Sequence, residues 1–191
     1  MILLARHGET DDNVPPYRFQ GQRDTPLNER GRAQARELAE RVAALDPPVG
    51  SLWCSDLSRA RETAEIVGAR LGMEPRADAR LREGWRGDWE GFLFDEIAAR
   101  EPERYAAWRA PDAEVGFRFP GGESLAEQQA RVLEGLTEIA EAADGGPALV
   151  VCHGGSIRTV LCRDDPRGLA AFHDFVVPNV ALVPVETGAL R

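Results

Sequence analysis

Two of the three histidines in this chain, His7 and His153, each follow a short apolar run and precede a glycine. Neutral imidazole is a competent nucleophile near pH 7 and carries protons in the same range. A glycine beside it lets backbone amides come close to a ligand. The first run, Ile2-Leu3-Leu4-Ala5, leads into Arg6-His7-Gly8-Glu9-Thr10, and the second, Ala148 to Cys152, leads into His153-Gly154-Gly155. A third junction follows Leu52-Trp53-Cys54 and runs from Ser55 to Arg59. His173 has no such setting and reads as a surface or satisfied interior residue.

The elements that must hold these junctions follow from periodicity and punctuation. The three runs are too short for helices and read as buried strands, and Ala148–Cys152 is the clearest of them. Asn28 is placed to cap a helix whose Ala35, Leu38, Val42 and Leu45 recur at helical spacing, ended by Pro47 and Pro48. Ser55-Asp56 read as the start of a second helix carrying Ala60, Ala64, Val67 and Leu71, stopped by Gly72. From Gly84 to Gly122 the pattern dissolves into Trp, Gly, Pro and Arg, with short helices expected at Phe94–Arg100 and Glu103–Trp108. Ser124 and Glu127 form a capping box that opens a long helix with Leu125, Val132, Leu136 and Ile139 inward, closed by Gly145-Gly146-Pro147. A helix from Gly155 to Cys162 and late strands at Phe175–Val177 and Val180–Val185 complete the order, with Pro184 marking an edge. This succession predicts a three-layer αβα sandwich with a mainly parallel central sheet. Ligands of such sheets collect beyond the carboxyl ends of the strands, where the histidines fall.

Composition narrows the chemistry. The chain has 191 residues, 43% of them hydrophobic, the size of one domain spanning 1–191. It carries 32 acidic against 23 basic residues, a net charge of -9, which disfavours nucleic acid and anionic membrane as partners. Every basic residue is arginine, so a P-loop lysine, a Schiff base and a pyridoxal phosphate anchor are all excluded. Three widely spaced cysteines argue against a disulfide framework and for a reducing, cytoplasmic setting. No metal site is expected, because histidines and cysteines lack the short spacings of zinc ligands. The absence of a Gly-x-Ser-x-Gly elbow excludes a serine hydrolase of that type. No exposed heptad specifies a partner helix, so a homodimer is neither required nor excluded.

The order of motifs resembles the histidine phosphatase superfamily, also called phosphoglycerate mutase-like. The likeness rests on Arg6-His7-Gly8-Glu9-Thr10, Asn13, Arg18 to Gln22 and Pro26 to Glu29. It continues through Ser55 to Ala60, Leu81-Arg82-Glu83 with Trp89-Glu90-Gly91, Pro120 to Ser124 and Cys152 to Gly155. The resemblance implies that His7 attacks a phosphate monoester, forming a phosphohistidine that water then hydrolyses, without a cofactor. It implies that Arg6, Asn13, Arg59, His153 and the Gly154 amide hold the phosphoryl group. Arginine suits that task, because its planar fork grips two oxygens and stays charged. It further assigns to Glu83 the proton for the leaving group. Gly84 and Arg86 depart from the bulky, apolar residues common there, so the packing beneath Glu83 is where this chain is individual.

A small phosphate monoester is the expected partner, and residues 84–122 are expected to act as an inserted lid or specificity region. Two other functions stand beside the phosphatase: a cofactor-dependent phosphoglycerate mutase, and a non-catalytic phospholigand-binding protein. The remaining polar residues have plainer expected roles, with Glu9 and Thr10 fixing the turn after His7. Trp85, Trp89 and Trp108 are expected to form a satellite core or to line the entrance. Arg82, Arg86, Arg109 and Arg118 are expected to be solvated or to hold a second anionic group.

Overall fold

The computed structural model describes residues 1–110, 116–143, 146–186 and 188. Its centre is a sheet of five strands in the order β3-β2-β4-β1-β5. These are β1 (Ile2–Arg6), β2 (Ser51–Cys54), β3 (Arg76–Ala77), β4 (Ala148–Cys152) and β5 (Leu182–Val185). Only β5 runs antiparallel, and Pro184 falls on it at the sheet edge, where a missing N–H does no harm. The predicted sandwich and mainly parallel sheet are therefore present.

Both faces of β1 and β4 are buried, which is why these strands read as unbroken apolar runs. Leu3, Ala5, Leu149 and Val151 face α1 (Glu29–Ala43) and α2 (Ser58–Leu71), meeting Leu38, Val42, Ala64 and Val67. Ile2, Leu4, Val150 and Cys152 face α5 (Leu125–Ala142) and α6 (Gly154–Cys162), meeting Val132, Leu136, Ile139 and Ile157. Each large side chain so buried stabilises the fold by about 1.5–3 kcal/mol.

Local signals set the helix ends. Asn28 Oδ1 accepts the Gly31 amide at 2.8 Å. The Ser124 amide donates to Glu127 Oε2 at 2.9 Å while Ser124 Oγ accepts the Glu127 amide at 3.2 Å. Gly72 ends α2 at φ +69°, a conformation that costs glycine nothing. Gly145, expected to help close α5, lies outside the described residues.

Two expectations need correction, and one strand was not expected. Helix α2 begins at Ser58, because Ser55 donates its amide to Val151 O and Asp56 is engaged by Arg82 at 2.6 Å. Phe175–Val177 is not a strand: Val176 is exposed, Pro178 offers no donor, and Val177 O accepts Arg6 Nη1 at 2.6 Å. The two-residue β3 had no apolar pattern to reveal it, since both residues are exposed.

A second, aromatic core stands apart from the two that cover the sheet. The helices α3 (Phe94–Arg100) and α4 (Pro102–Arg109) fold over Phe19, Trp89, Trp108 and Phe119. Trp89 and Phe119 meet edge to face, their centroids 5.4 Å apart. Trp85 remains 48% exposed outside this cluster, so the satellite-core expectation holds for Trp89 and Trp108 alone. No helix among the described residues is long and apolar enough to cross a membrane.

Candidate active site

Strand register brings the two histidines together. Arg6 pairs with Cys152 across β1 and β4, so the next residues, His7 and His153, leave the sheet side by side. Their ring centroids lie 5.2 Å apart, and both side chains are buried. His7 donates its amide to Cys152 O at 3.0 Å, and Asn179 Nδ2 donates to His7 O at 3.0 Å. The His7 Nδ1 lies 2.6 Å from Gly8 O. A carbonyl can only accept, so Nδ1 carries the hydrogen and Nε2 keeps its lone pair. A side chain on Gly8 would run into the Gly31 backbone, which accounts for glycine at that position.

Around this pair stand buried nitrogen donors. Arg59 Nη1 and Nη2 donate to Arg23 O at 2.9 Å and Gly21 O at 2.7 Å, leaving Nε without a partner. Arg6 Nε, Asn13 Nδ2 and both ring nitrogens of His153 are likewise buried without hydrogen-bond partners. Such groups are costly unless a ligand completes them, and since neutral His153 offers one N–H, four donors beside the His7 imidazole could cradle an oxyanion.

The electrostatics agree. Burial pushes Arg6 and Arg59 down to about 10, which leaves both charged at neutral pH. His7 and His153 are held well below the usual imidazole range, by burial first and then by the Arg59 guanidinium. His7 is therefore neutral and nucleophilic.

A cavity of about 570 Å³ opens over the cradle, walled by Arg6, His7, Asn13, Glu83 and Gly154. Arg59 and His153 do not line it but act electrostatically on His7, which does. Of the acidic residues near the predicted acid, only Glu83 reaches the cavity. Glu90 turns its carboxylate to the amides of Gln22 and Arg86, and Asp88 lies beside Gly121. Burial would raise Glu83, but the Arg86 guanidinium and hydrogen bonds from Gly84, Gly155 and Gln128 hold it down at about 2. The individual residues beneath Glu83 thus make specific contacts: the largely covered Arg86 lies 3.6 Å from the carboxylate and over the Phe119 ring at 4.6 Å. A side chain on Gly84 would strike Gln128 Oε1.

The other expectations sort by contact. Glu9 accepts Asn28 Nδ2 at 3.1 Å and Thr10 Oγ1 accepts Gln20 Nε2 at 2.9 Å, so both secure the turn. Arg82 is tied to Asp56 and Arg118 to Glu127, whereas Arg86 and Arg109 reach the cavity. Tyr17, Arg158, His173 and Asn179 also line it and were not foreseen as site residues. Arg158 had a signal, standing one helical turn beyond Gly154. Asn179 falls between the two late strands expected there, where no pattern marks it. His173 is satisfied as expected, its Nε2 3.1 Å from Trp108 O, yet it also lines the cavity.

Parallel sheet, paired histidines and buried arginines together define a class: an α/β protein with an oxyanion site at the carboxyl edge of its sheet. Residues 2–189 match the family model described as the histidine phosphatase superfamily, branch 1. The chain belongs to that superfamily. It is 37% identical over 166 residues to the phosphoglycerate mutase-like protein 4 of Arabidopsis thaliana, spanning 86% of this chain and 71% of that one. It is 39% identical over 164 residues to a glucosyl-3-phosphoglycerate phosphatase of Mycobacterium tuberculosis, covering 82% and 71% of the two chains. The structure of a mycobacterial glucosyl-3-phosphoglycerate phosphatase complexed with VO3 superposes with a TM-score of 0.82, at 34% identity over 95% of this chain and 90% of that one.

Proposed function

We propose that the protein is a phosphomonoesterase for small phosphorylated metabolites that works through a phosphohistidine at His7. The observation that carries this reading is the His7 imidazole, pinned by Gly8 O with its Nε2 lone pair available amid unpartnered buried donors. Nε2 attacks phosphorus, the P–O ester bond breaks, and Glu83 supplies the proton taken by the leaving alkoxide. Water then attacks the phosphohistidine, Glu83 takes its proton, and the P–N bond breaks to free orthophosphate. Arg6, Arg59, His153, Asn13 and the Gly154 amide hold the phosphoryl oxygens throughout.

Glu83 begins as a carboxylate, and an arriving phosphate raises its proton affinity by charge repulsion. A phosphate monoester loses its second proton near pH 6, so its monoanion can bring the proton that Glu83 passes on.

The organic part of the substrate rests against Phe94, Trp108, Arg109 and Arg158 at the mouth of the cavity. Residues 84–122, apart from 111–115, supply the first three of these and so act as the specificity region of a single 1–191 domain. The cations Arg109 and Arg158 favour a substrate with a second anionic group. The three cysteines are buried and widely spaced, which suits a reducing cytoplasm.

Turnover with a radiolabelled phosphate monoester, quenched in alkali, tests the reading. An acid-labile label mapping to His7 and absent in His7→Ala is the expected result. Hydrolysis that survives His7→Ala would overturn it, as would isomerisation of a phosphoglycerate with little free phosphate. Tight phosphate binding with no turnover would point to a ligand-binding protein instead.

A further inference from the structure

If Glu83 serves as acid and then as base, what surrounds its carboxyl group decides which half of the reaction is favoured; the inference below rests on that reading. Every close partner of Glu83 is a donor. Oε1 accepts the Gly84 amide at 2.8 Å and Gln128 Nε2 at 2.8 Å, and Oε2 accepts the Gly155 amide at 2.8 Å. Donors stabilise a carboxylate and offer nothing to the hydrogen of a carboxylic acid. Two of these donors are backbone amides beside the site. The third is a side chain from α5, an element that otherwise contributes nothing to the cavity wall.

The orientation of Gln128 is informative. Its side chain is fully buried, Nε2 lies between Glu83 Oε1 and Ser156 Oγ at 3.3 Å, and its Oε1 has no hydrogen-bond partner. A buried carbonyl without a donor is unfavourable. The opposite orientation would set that carbonyl against the Glu83 carboxylate, which is worse, so the charge on Glu83 dictates how the amide points. One turn further along α5, Arg131 fixes the backbone on which Glu83 rides. Its Nη1 donates to Arg80 O at 2.8 Å and Arg82 O at 2.7 Å, and its Nη2 to Glu83 O at 2.9 Å.

We propose that Gln128 is a positioning residue that fixes the Glu83 carboxylate where it meets the attacking water and thereby supports hydrolysis of the phosphohistidine. In the second half-reaction the carboxylate must accept a proton from water as the P–N bond breaks, and the Gln128 N–H keeps an oxygen of Glu83 in place for that transfer. The first half-reaction with a good leaving group needs no proton from Glu83, so it is indifferent to this hydrogen bond.

The experiment uses the full-length protein with p-nitrophenyl phosphate, whose leaving group needs little protonation, and compares wild type with Gln128→Met and Gln128→Glu. Methionine removes the donor at similar volume, and glutamate makes two carboxylates share a proton. Each variant should lose about ten- to a hundred-fold in kcat, with KM falling in step so that kcat/KM stays nearly constant. A burst of about one equivalent of nitrophenol and an increased steady-state level of alkali-stable phosphohistidine should accompany the loss. The retained kcat/KM also reports that the variant is folded. Equal losses in kcat and kcat/KM without a burst, or unchanged kcat, in whichever variant folds, would overturn the inference. Failure of the underlying mechanism is distinguishable, because then wild type itself would form no adduct.

Discussion

The Gly155 amide, in the first turn of α6, donates to Glu83 Oε2 at 2.8 Å, so the helix that begins just after His153 also fixes the residue proposed to move the protons. The start of α6 thus joins the proposed phosphate cradle to the proposed proton carrier, and small changes there should act on chemistry more than on folding.

A methyl group at position 155 would strike Glu83 Oε1 and crowd the Arg86 side chain. Gly155→Ala should therefore lower kcat by about a hundred-fold through displacement of the carboxyl group. Vanadate affinity, which reports on the cradle, should change by less than about three-fold. Steady-state kinetics alongside inhibition constants check this, and a parallel loss of both would contradict it.

Inorganic phosphate should stabilise the protein by completing the unpartnered donors. At about a hundred times its dissociation constant the gain is about 2.7 kcal/mol. Arg59→Met should abolish most of that shift in the unfolding temperature and lower kcat/KM by about a hundred- to a thousand-fold. Thermal unfolding with and without phosphate tests it; an equal shift in the variant would exclude Arg59 from the cradle.

Stability should fall on mild acidification because of the paired histidines. In the unfolded chain each imidazole takes a proton near 6.5, whereas in the folded chain His7 and His153 are held well below that. Below about pH 6.5 the unfolded state therefore binds more protons, and each histidine removes up to about 1.4 kcal/mol per pH unit; above it their contribution is complete. Glu83 acts later in the same direction, its contribution lost as pH falls from the ordinary carboxylate range toward about 2. Denaturant unfolding from pH 8 to pH 5 should show a slope that His153→Asn reduces. An unaltered slope would mean that His153 titrates normally.

Arg109, on the exposed end of α4, should act on substrate choice alone. Arg109→Ala should raise KM about ten-fold for a phosphate monoester that also bears a carboxylate, and leave p-nitrophenyl phosphate unaffected. Equal effects on both substrates would remove Arg109 from specificity.

Much of this was legible before any coordinates. Strands β1 and β4 announce themselves because both faces are buried, and the glycines after their histidines mark where the chain comes close to the Gly31 backbone and the Arg6 side chain. Asn28, Gly72 and the Ser124–Glu127 pair set helix ends by local bonding, and local bonding is what a sequence displays. What stayed hidden depends on contacts between distant segments. Nothing near Asn179 says that it reaches His7 O, and nothing near Gln128 distinguishes it from an ordinary polar helix residue. Asp56 looked like part of a helix start because its partner, Arg82, is twenty-six residues away. The strand expected at Phe175–Val177 failed for a related reason: its carbonyl is claimed by Arg6 instead of a ladder partner.

The position of β4 between β1 and β2 has a consequence for biosynthesis. A ribosome-bound chain that stops before Ala148 already contains His7, Asn13, Arg59 and Glu83, yet the strand on which β1 and β2 both align has not been made. The sheet cannot close by local pairing, and its assembly waits for contacts that span most of the chain. A chain cut before Ala148 should therefore lack both the closed sheet and His153 and show no turnover.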